Sequence, residues 1–210
     1  MGAEDIVMGL DDLQRDALGE LFNIGVGRAA NALSQIVSSE VMLSVPNVDL
    51  VTVSTVKEML VKNEFRHFST VSQYFEGPFN AEAVLIFPES NALVIVSHML
   101  GHQLAPEELS EYEQEAMCEV GNIILNACIS ALADLFCVEF NGGLPHHQFN
   151  DSEKLGFHLG QDNDYVLILQ VKMLINRENI AGQMLYLLGL QSLTSLLNHL
   201  DRYLIEQGLK

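Results

Sequence analysis

The chain has 210 residues, 49% of them hydrophobic, and its 28 acidic against 10 basic side chains give a formal net charge of -18. Residues 67–153 carry 13 Asp and Glu but no Lys or Arg, which argues against nucleic acid and against an anionic membrane surface as partners. The apolar content is also too high for a disordered acidic chain, so an acidic globular protein with a sizeable core is expected.

Helical and strand periodicities alternate along the first half of the chain. The residues Leu13, Ala17, Leu21 and Ile24 recur at helical spacing and indicate a long first helix. In chain order, the predicted elements are a helix over 10–38, a strand Val41–Val45, an extra helix over 51–62, hairpin strands Phe68–Phe75 and Ala83–Phe87 with a turn at Gly77–Asn80, and a helix over 89–100.

The second half shows the same order of patterns. Ser110 ahead of Glu113 fits a capping box at the start of a long helix, and Pro106 fits an earlier start. The predicted elements are a helix over 107–135, a strand Phe136–Phe140, a loop over 141–163, hairpin strands Tyr165–Ile175 and Gln183–Leu188 with a turn at Asn176–Asn179, and a helix over 190–206.

This common order reflects an internal similarity at a constant offset of 99 residues. The identities are Leu10/Leu109, Ala17/Ala116, Glu20/Glu119, Asn23/Asn122, Ile24/Ile123, Ala32/Ala131, Leu33/Leu132, Glu40/Glu139 and Pro46/Pro145. We therefore predict a nine-residue N-terminal extension (1–9) and one domain over 10–206, made of two repeats, 10–105 and 106–206. The predicted fold class is α/β: a pseudo-two-fold sandwich with a mainly antiparallel sheet. The helices, among them the two long ones, are predicted to pack on one face of that sheet.

The N-terminus and the cysteines favour a cytoplasmic protein. Cys118, Cys128 and Cys137 form no CxxC pair, so reduced thiols fit better than a zinc site or a disulfide framework. No secretory signal pattern opens the chain, and polar residues interrupt the most apolar helical stretch, Ile123–Val138, which is shorter than a membrane span.

One polar stripe occurs at the same place on both long helices. Asp16, Glu20 and Asn23 stand at i, i+4 and i+7, within about 60° of one another around a helix. The offset places Glu115, Glu119 and Asn122 in the same way on the second helix. A single Glu-x-x-Asn pair is typical of a solvated surface. Here the pair occurs on both helices at equivalent positions. Because Asn is a poor residue for an exposed helix interior, its recurrence indicates a function.

With Pro46 and Pro145, each 23 residues after its Asn, these stripes resemble the signature of the CheC, CheX and FliY family of chemotaxis phosphatases. The resemblance extends from Leu10 to Leu204, and two sites in a chain of this length are similar to CheC. It departs in one place, because the family has Asp or Ser where this chain has Glu115. The resemblance implies hydrolysis of the aspartyl phosphate on a CheY-type response regulator.

The resemblance marks Glu20, Asn23, Glu119 and Asn122 as catalytic. A carboxamide can hold the attacking water in line, and a carboxylate one turn away can pair with the regulator's Lys. Asp16 and Glu115 either extend the docking stripe or are solvated carboxylates, and Pro46 and Pro145 shape the chain after a strand. No metal or cofactor is expected on the chain itself, and Mg²⁺ is expected on the regulator.

Alternative interpretations come from other classes. A non-catalytic adaptor could bind a response regulator, a motor component or CheD, and the family also implies CheD as a partner. The GxGxxA match at Gly25–Ala30 follows several helical turns instead of a strand, so a dinucleotide site is not expected there. Its glycines are predicted to let a neighbouring helix or the partner approach closely. His98, His102, His146 and His147 lack an accompanying carboxylate–His pattern and are predicted to be ordinary surface or core residues.

Overall fold

A computed structural model describes residues 9–62, 66–101, 106–151, 153–155, 159, 161 and 164–210. The helices are α1 (Asp12–Ile36), α2 (Val53–Lys62), α3 (Glu89–Leu100), α4 (Pro106–Phe136) and α5 (Leu190–Glu206). The strands are β1 (Val41–Ser44), β2 (Val48–Thr52), β3 (His67–Glu76), β4 (Ala81–Pro88), β5 (Asn141–Gly142), β6 (His146–Asp151), β7 (Tyr165–Ile175) and β8 (Glu178–Leu188). The predicted N-terminal extension lies, apart from Gly9, outside the described residues.

All strands belong to one antiparallel sheet. Its order is β1-β7-β8-β4-β3-β5, with β2 also paired to β7 and β6 also paired to β3. The sheet has the same order when it is read from either end. Strands β1 and β2 of the first half correspond to β5 and β6 of the second half, and hairpin β3-β4 corresponds to hairpin β7-β8. The short strands of each half thus pair with the hairpin of the other half, which interleaves the two halves in a single sheet.

Helices cover both faces of this sheet. Side chains of α1, α3, α4 and α5, among them Phe22, Ile95, Ile124 and Leu193, form the larger core on one face. On the other face α2 packs Val53, Val56 and Leu60 over a second cluster that includes Phe68, Ile86 and Ile168. The prediction that the helices share one face is therefore wrong for α2. Strand β4 explains why, because it is buried on both faces and needs cover on each.

The mixed α/β class and the two long helices on an antiparallel sheet are confirmed. The predicted strand Phe136–Phe140 is wrong, because α4 continues to Phe136 and ends in a left-handed residue, Cys137, with φ 53°. The amide of Val138 then donates to Ala133 O at 3.0 Å, which closes the helix end in the manner of a Schellman cap. Phe140 packs edge-on against Phe79 with a centroid distance of 4.9 Å, so its apolar character serves the core and not a strand.

Three further predictions need correction. Within the predicted loop 141–163, β5 and β6 pair with β3, so this stretch rich in Gly, Asn and His supplies edge strands. The second hairpin turns over two residues, Asn176 and Arg177, and not four, and both have positive φ (46° and 74°), as in a type I′ turn. At the other end of the sheet, β2 occupies the start of the predicted helix 51–62, and α2 begins at Val53.

Helix α4 is the one described helix that is long and apolar enough to cross a membrane, over Tyr112–Phe136. Of its most apolar window, 56% is buried inside the fold. It begins at Pro106, so the earlier of the two predicted starts is correct. Its apolar residues Met117, Ile124 and Leu125 belong to the larger core, which accounts for the composition of the helix without a lipid environment.

The two glycines of the GxGxxA match have different roles. A Cβ added at Gly25 would lie 2.9 Å from Cys128 Cα, so this glycine lets α1 and α4 approach closely, as predicted. A Cβ at Gly27 would meet nothing within 4 Å, so Gly27 serves no helix contact in the described chain, and the close approach of a partner at Gly27 stays a prediction. Of these two glycines, only Gly25 is needed for the close crossing of α1 and α4.

We expect Gly25→Ala to lower the free energy of unfolding, because an overpacking cost of about 1–3 kcal/mol exceeds a helix-propensity gain of at most about 1 kcal/mol. Gly27→Ala is the matched control and is expected to raise it by up to about 1 kcal/mol. Urea denaturation followed by circular dichroism measures both variants. Equal stabilisation by the two substitutions would contradict the close crossing.

Candidate functional site

The first polar stripe lies on the solvent side of α1. The helix begins with a capping box in which Asp11 Oδ1 accepts from Gln14 N at 2.8 Å and Gln14 Oε1 accepts from Asp11 N at 3.1 Å. Asp16 and Glu20 are exposed, and Asn23 is half-buried. The structure thus brings the three side chains onto one face, as the helical spacing predicts.

The Asn23 carboxamide is tied to the backbone of Val45, the residue before Pro46. Its Oδ1 accepts from Val45 N at 2.8 Å, and its Nδ2 donates to Val45 O at 3.1 Å and to Gly19 O at 2.8 Å. Asn23 therefore holds the segment after β1 against α1, and both of its polar atoms are engaged. Sequence reasoning missed this structural role.

The second stripe lines an open groove. Glu115, Glu119 and Asn122 lie along α4 with Pro145 in a cavity of about 540 Å³. Its remaining lining residues are Met99, Leu100, Tyr112, Ala116 and Cys118. Glu115 and Glu119 are exposed and Asn122 is half-buried, so carboxylates and a carboxamide stand beside an apolar wall.

Asn122 differs from Asn23 in its hydrogen bonds. Its Oδ1 accepts from Asn126 Nδ2 at 2.7 Å, and its Nδ2 has no partner within the described part of the chain. It makes no bond to the segment that leads to Pro145. Other groups hold that segment: Gln73 Nε2 donates to Gly143 O at 2.8 Å, and Gly143 N donates to Tyr74 O at 2.8 Å. Asn122 is consequently free to contact a partner.

A buried polar cluster lies at the base of α4, next to this segment. Ser69 Oγ is 2.8 Å from His147 Nε2, and Glu113 Oε1 is 3.9 Å from the same nitrogen. The Ser69 hydroxyl and the Glu113 carboxyl both face Nε2 of His147, whereas in a nucleophilic triad they face opposite nitrogens of the ring. All three side chains are also buried, so the cluster lacks the geometry of a nucleophilic triad. It anchors β6 to β3 and α4, two residues after Pro145.

The charges of this cluster are disfavoured by burial. Desolvation raises the pKa of the Glu113 carboxyl; Ser69 opposes this through a hydrogen bond, and the Glu89 carboxylate adds to it. Desolvation also lowers the pKa of His147, with a contribution from His146. Glu113 Oε1 has no hydrogen-bond partner among the residues described. Sequence reasoning missed this cluster, because Ser69, Glu113 and His147 lie far apart in the chain and leave no spacing pattern.

Basic side chains near the first stripe are already paired. Arg15 contacts Asp12 and Asp49, each at 3.2 Å, and Arg28 contacts Asp134 at 2.7 Å. Residues 67–153, which include the second stripe, contain no Lys or Arg. The two arginines of α1 are therefore engaged by Asp residues, and α4 carries no cation of its own.

A family model described as the CheC-like family matches residues 13–49, which carry Asp16, Glu20, Asn23 and Pro46. Two curated Bacillus subtilis (strain 168) proteins, the flagellar motor switch phosphatase FliY and the CheY-P phosphatase CheC, are each 25% identical to the chain, over 144 and 143 residues. The chain is therefore similar to the CheC-like family over residues 13–49 and to these two relatives over about two thirds of its length. The FliY alignment spans 68% of this chain and 37% of FliY, and the CheC alignment spans 67% of this chain and 68% of CheC.

Solved structures show which fold the chain shares. Thermotoga maritima FliY aligns at a TM-score of 0.77 and 19% identity, over 93% of this chain and 100% of that one. A chain of the FliG–FliM complex from H. pylori aligns at 0.64 and 14% identity, over 90% and 100%. A chain of the CheX–CheY–BeF3–Mg complex from Borrelia burgdorferi aligns at 0.51 and 16% identity, over 79% and 94%. At these identities the comparison concerns the fold alone.

Proposed function

We propose that this protein is a phosphatase that speeds hydrolysis of the aspartyl phosphate on a CheY-type response regulator. The observation that carries the proposal is the groove on α4, where Glu119 and Asn122 stand together with the amide unbound to the segment at Pro145. Relatives named as CheY-P phosphatase and motor switch phosphatase support it, as does the fold shared with a CheX–CheY complex.

The charge distribution indicates where the phosphoryl group is held. A site that gripped a phosphate itself would offer Arg, Lys, a metal or a helix N-terminus, whereas both stripes present carboxylates and amides. The cations that neutralise the phosphoryl group therefore come from the regulator, as its Lys and its Mg²⁺. This assigns the substrate as a protein-bound phosphoryl group.

Each stripe residue then has a role on the partner. Asn122 and Asn23 position the attacking water, which needs geometry and no shifted pKa. Glu119 and Glu20 pair with the regulator's Lys and set the docking register. Asp16 and Glu115 extend the docking surface at its exposed end. Asn23 can position a water only if it shares or breaks its hydrogen bonds to Val45, whereas Asn122 has no such bonds. The second site is therefore the more active one.

The direct test follows the decay of a phosphorylated CheY-type regulator with substoichiometric amounts of this protein. Multiple turnovers that shorten the lifetime of the phosphorylated regulator support a phosphatase. Unchanged decay at concentrations that bind the regulator contradicts it.

The second candidate is an adaptor that binds a response regulator or a motor component without hydrolysis. Two observations favour it: a chain of a FliG–FliM complex and a FliM middle domain share the fold, and Asn23 is engaged in holding its own chain. Binding of a phosphorylated regulator with normal decay is its signature. CheD as a partner and a cytoplasmic location stay predictions.

Glu119→Gln is expected to weaken binding of a beryllofluoride-loaded regulator about tenfold, because it removes the charge that pairs with the regulator's Lys. The exposed Glu206 on α5 offers a matched control, and Glu206→Gln should bind as the wild type does. Isothermal titration calorimetry at two salt concentrations measures both. Equal affinities of the two variants would remove Glu119 from the docking surface.

A further inference from the structure

Three side-chain amides form a chain of hydrogen bonds behind the second polar stripe. Gln73 Nε2 on β3 donates to the backbone carbonyl of Gly143 at 2.8 Å. Asn126 Nδ2 lies 3.3 Å from Gln73 Oε1 and 2.7 Å from Asn122 Oδ1. The chain thus connects a backbone carbonyl in the segment before Pro145 to the amide that faces the groove.

Backbone carbonyls fix which atom of each amide faces which neighbour. A carbonyl oxygen only accepts, so Gly143 O requires the Nε2 of Gln73, whose Oε1 must then face Asn126. Asn126 Nδ2 also donates to the backbone carbonyl Asn122 O at 2.7 Å, which fixes its own orientation. The two hydrogens of Asn126 Nδ2 are shared among three acceptors, of which Gln73 Oε1 is the farthest at 3.3 Å. A donor therefore stands against Asn122 Oδ1, and Asn122 cannot flip without losing this bond.

The first helix has no such arrangement. The residue 99 positions before Asn126 is Gly27, which has no side chain to donate. There Asn23 is oriented by the backbone of Val45, which uses both of its polar atoms. The two stripes thus carry the same Glu and Asn but orient the Asn in different ways.

We propose that Asn126 is a positioning residue for Asn122, and that Gln73 in turn orients Asn126. The proposal rests on the phosphatase function proposed above and deepens it. Asn126 holds Asn122 Oδ1 on one lone pair, which leaves the second lone pair and the whole Nδ2 group for the attacking water. The second site is organised before the regulator binds, whereas the first must rearrange.

The test substitutes Asn126 in an Asn23→Ala background, so that only the second site turns over. Asn126→Asp keeps the shape but replaces the donor with an acceptor, and Asn126→Gly places there the residue found on α1. We expect kcat for dephosphorylation to fall about tenfold in both, with KM within about twofold of the parent. Ser130→Asp, one turn further along α4 and exposed, controls for the added charge and should match the parent.

Nuclear magnetic resonance gives a readout that does not require activity. The side-chain amide resonances of Asn122 should shift in Asn126→Asp and stay in place in Ser130→Asp. A folded Asn126→Asp or Asn126→Gly variant with the parent's kcat overturns the proposal, and so do unmoved Asn122 resonances. If the wild-type protein has no phosphatase activity but the Asn122 resonances still shift in Asn126→Asp, the proposed function is contradicted and the orienting contact between Asn126 and Asn122 is supported.

Discussion

Asn122→Ala is expected to slow dephosphorylation at the second site about 10²-fold and to leave thermal stability unchanged. The rate falls because the variant loses the amide that positions the attacking water. Stability is retained because Asn122 makes no bond to the segment at Pro145, and Asn126 keeps its bonds to Asn122 O and Gln73. Single-turnover decay of a phosphorylated regulator, together with calorimetry, separates the two effects.

Asn23→Ala is expected to differ in both respects. Loss of its carboxamide leaves Val45 N and Val45 O without their partners, which costs about 1–3 kcal/mol for each buried group. The melting temperature should therefore fall, whereas the total phosphatase rate should fall less than in Asn122→Ala. A stable Asn23→Ala protein that has lost most of its activity would contradict the division of roles between the two sites.

Glu113→Gln is expected to stabilise the protein at neutral and alkaline pH. The Glu113 side chain is 1% exposed, and its Oε1 lacks a hydrogen bond in the described structure. Removing the buried charge should raise the free energy of unfolding by about 1–3 kcal/mol, or roughly 2–4 °C in Tm for each kcal/mol. Ser69 and His147 retain their 2.8 Å contact in the variant.

The pH dependence follows from the direction of the pKa shift. Burial raises the pKa of Glu113 above its ordinary value of 4.5, so the folded state binds this proton more tightly than the unfolded state. Wild-type stability is therefore greatest below the unfolded-state pKa and falls as pH rises through the folded-state pKa. Glu113→Gln has no carboxyl to ionise at this position, so its stability does not fall with pH for this reason. His147, whose pKa burial lowers, destabilises the folded state of both proteins on the acid side.

Thermal unfolding of both proteins between pH 5 and pH 8 tests this prediction. The Tm advantage of Glu113→Gln should be larger at pH 8 than at pH 5. The exposed Glu139 provides the control, since Glu139→Gln should show no such trend. A constant or inverted difference would mean that Glu113 is not a buried, poorly compensated carboxylate.

Much of the fold could be predicted because each element carries its own periodicity. The long helices and both hairpins follow from spacing alone. The pairing of β1 and β2 with the opposite hairpin could not, because registers between distant strands leave no local pattern. Phe136–Phe140 resembled a strand because a helix end closed by a left-handed Cys137 has no glycine to mark it.

The candidate site divides in the same way. The stripes Asp16–Asn23 and Glu115–Asn122 follow from helical geometry, and the structure places each on one exposed helix face. The contact of Asn23 with Val45 spans 22 residues, and that of Asn126 with Gln73 spans 53, so neither leaves a spacing signal. These contacts are what make the two stripes chemically different.

The Glu–Asn stripes on the two helices are proposed to catalyse loss of a regulator's phosphoryl group. The most direct measurement compares the decay of a phosphorylated CheY-type regulator in the presence of the wild-type protein and of the Asn23→Ala/Asn122→Ala double variant. The predicted result is accelerated decay with the wild type and the regulator's own decay rate with the double variant. Equal acceleration by a folded double variant would contradict the account.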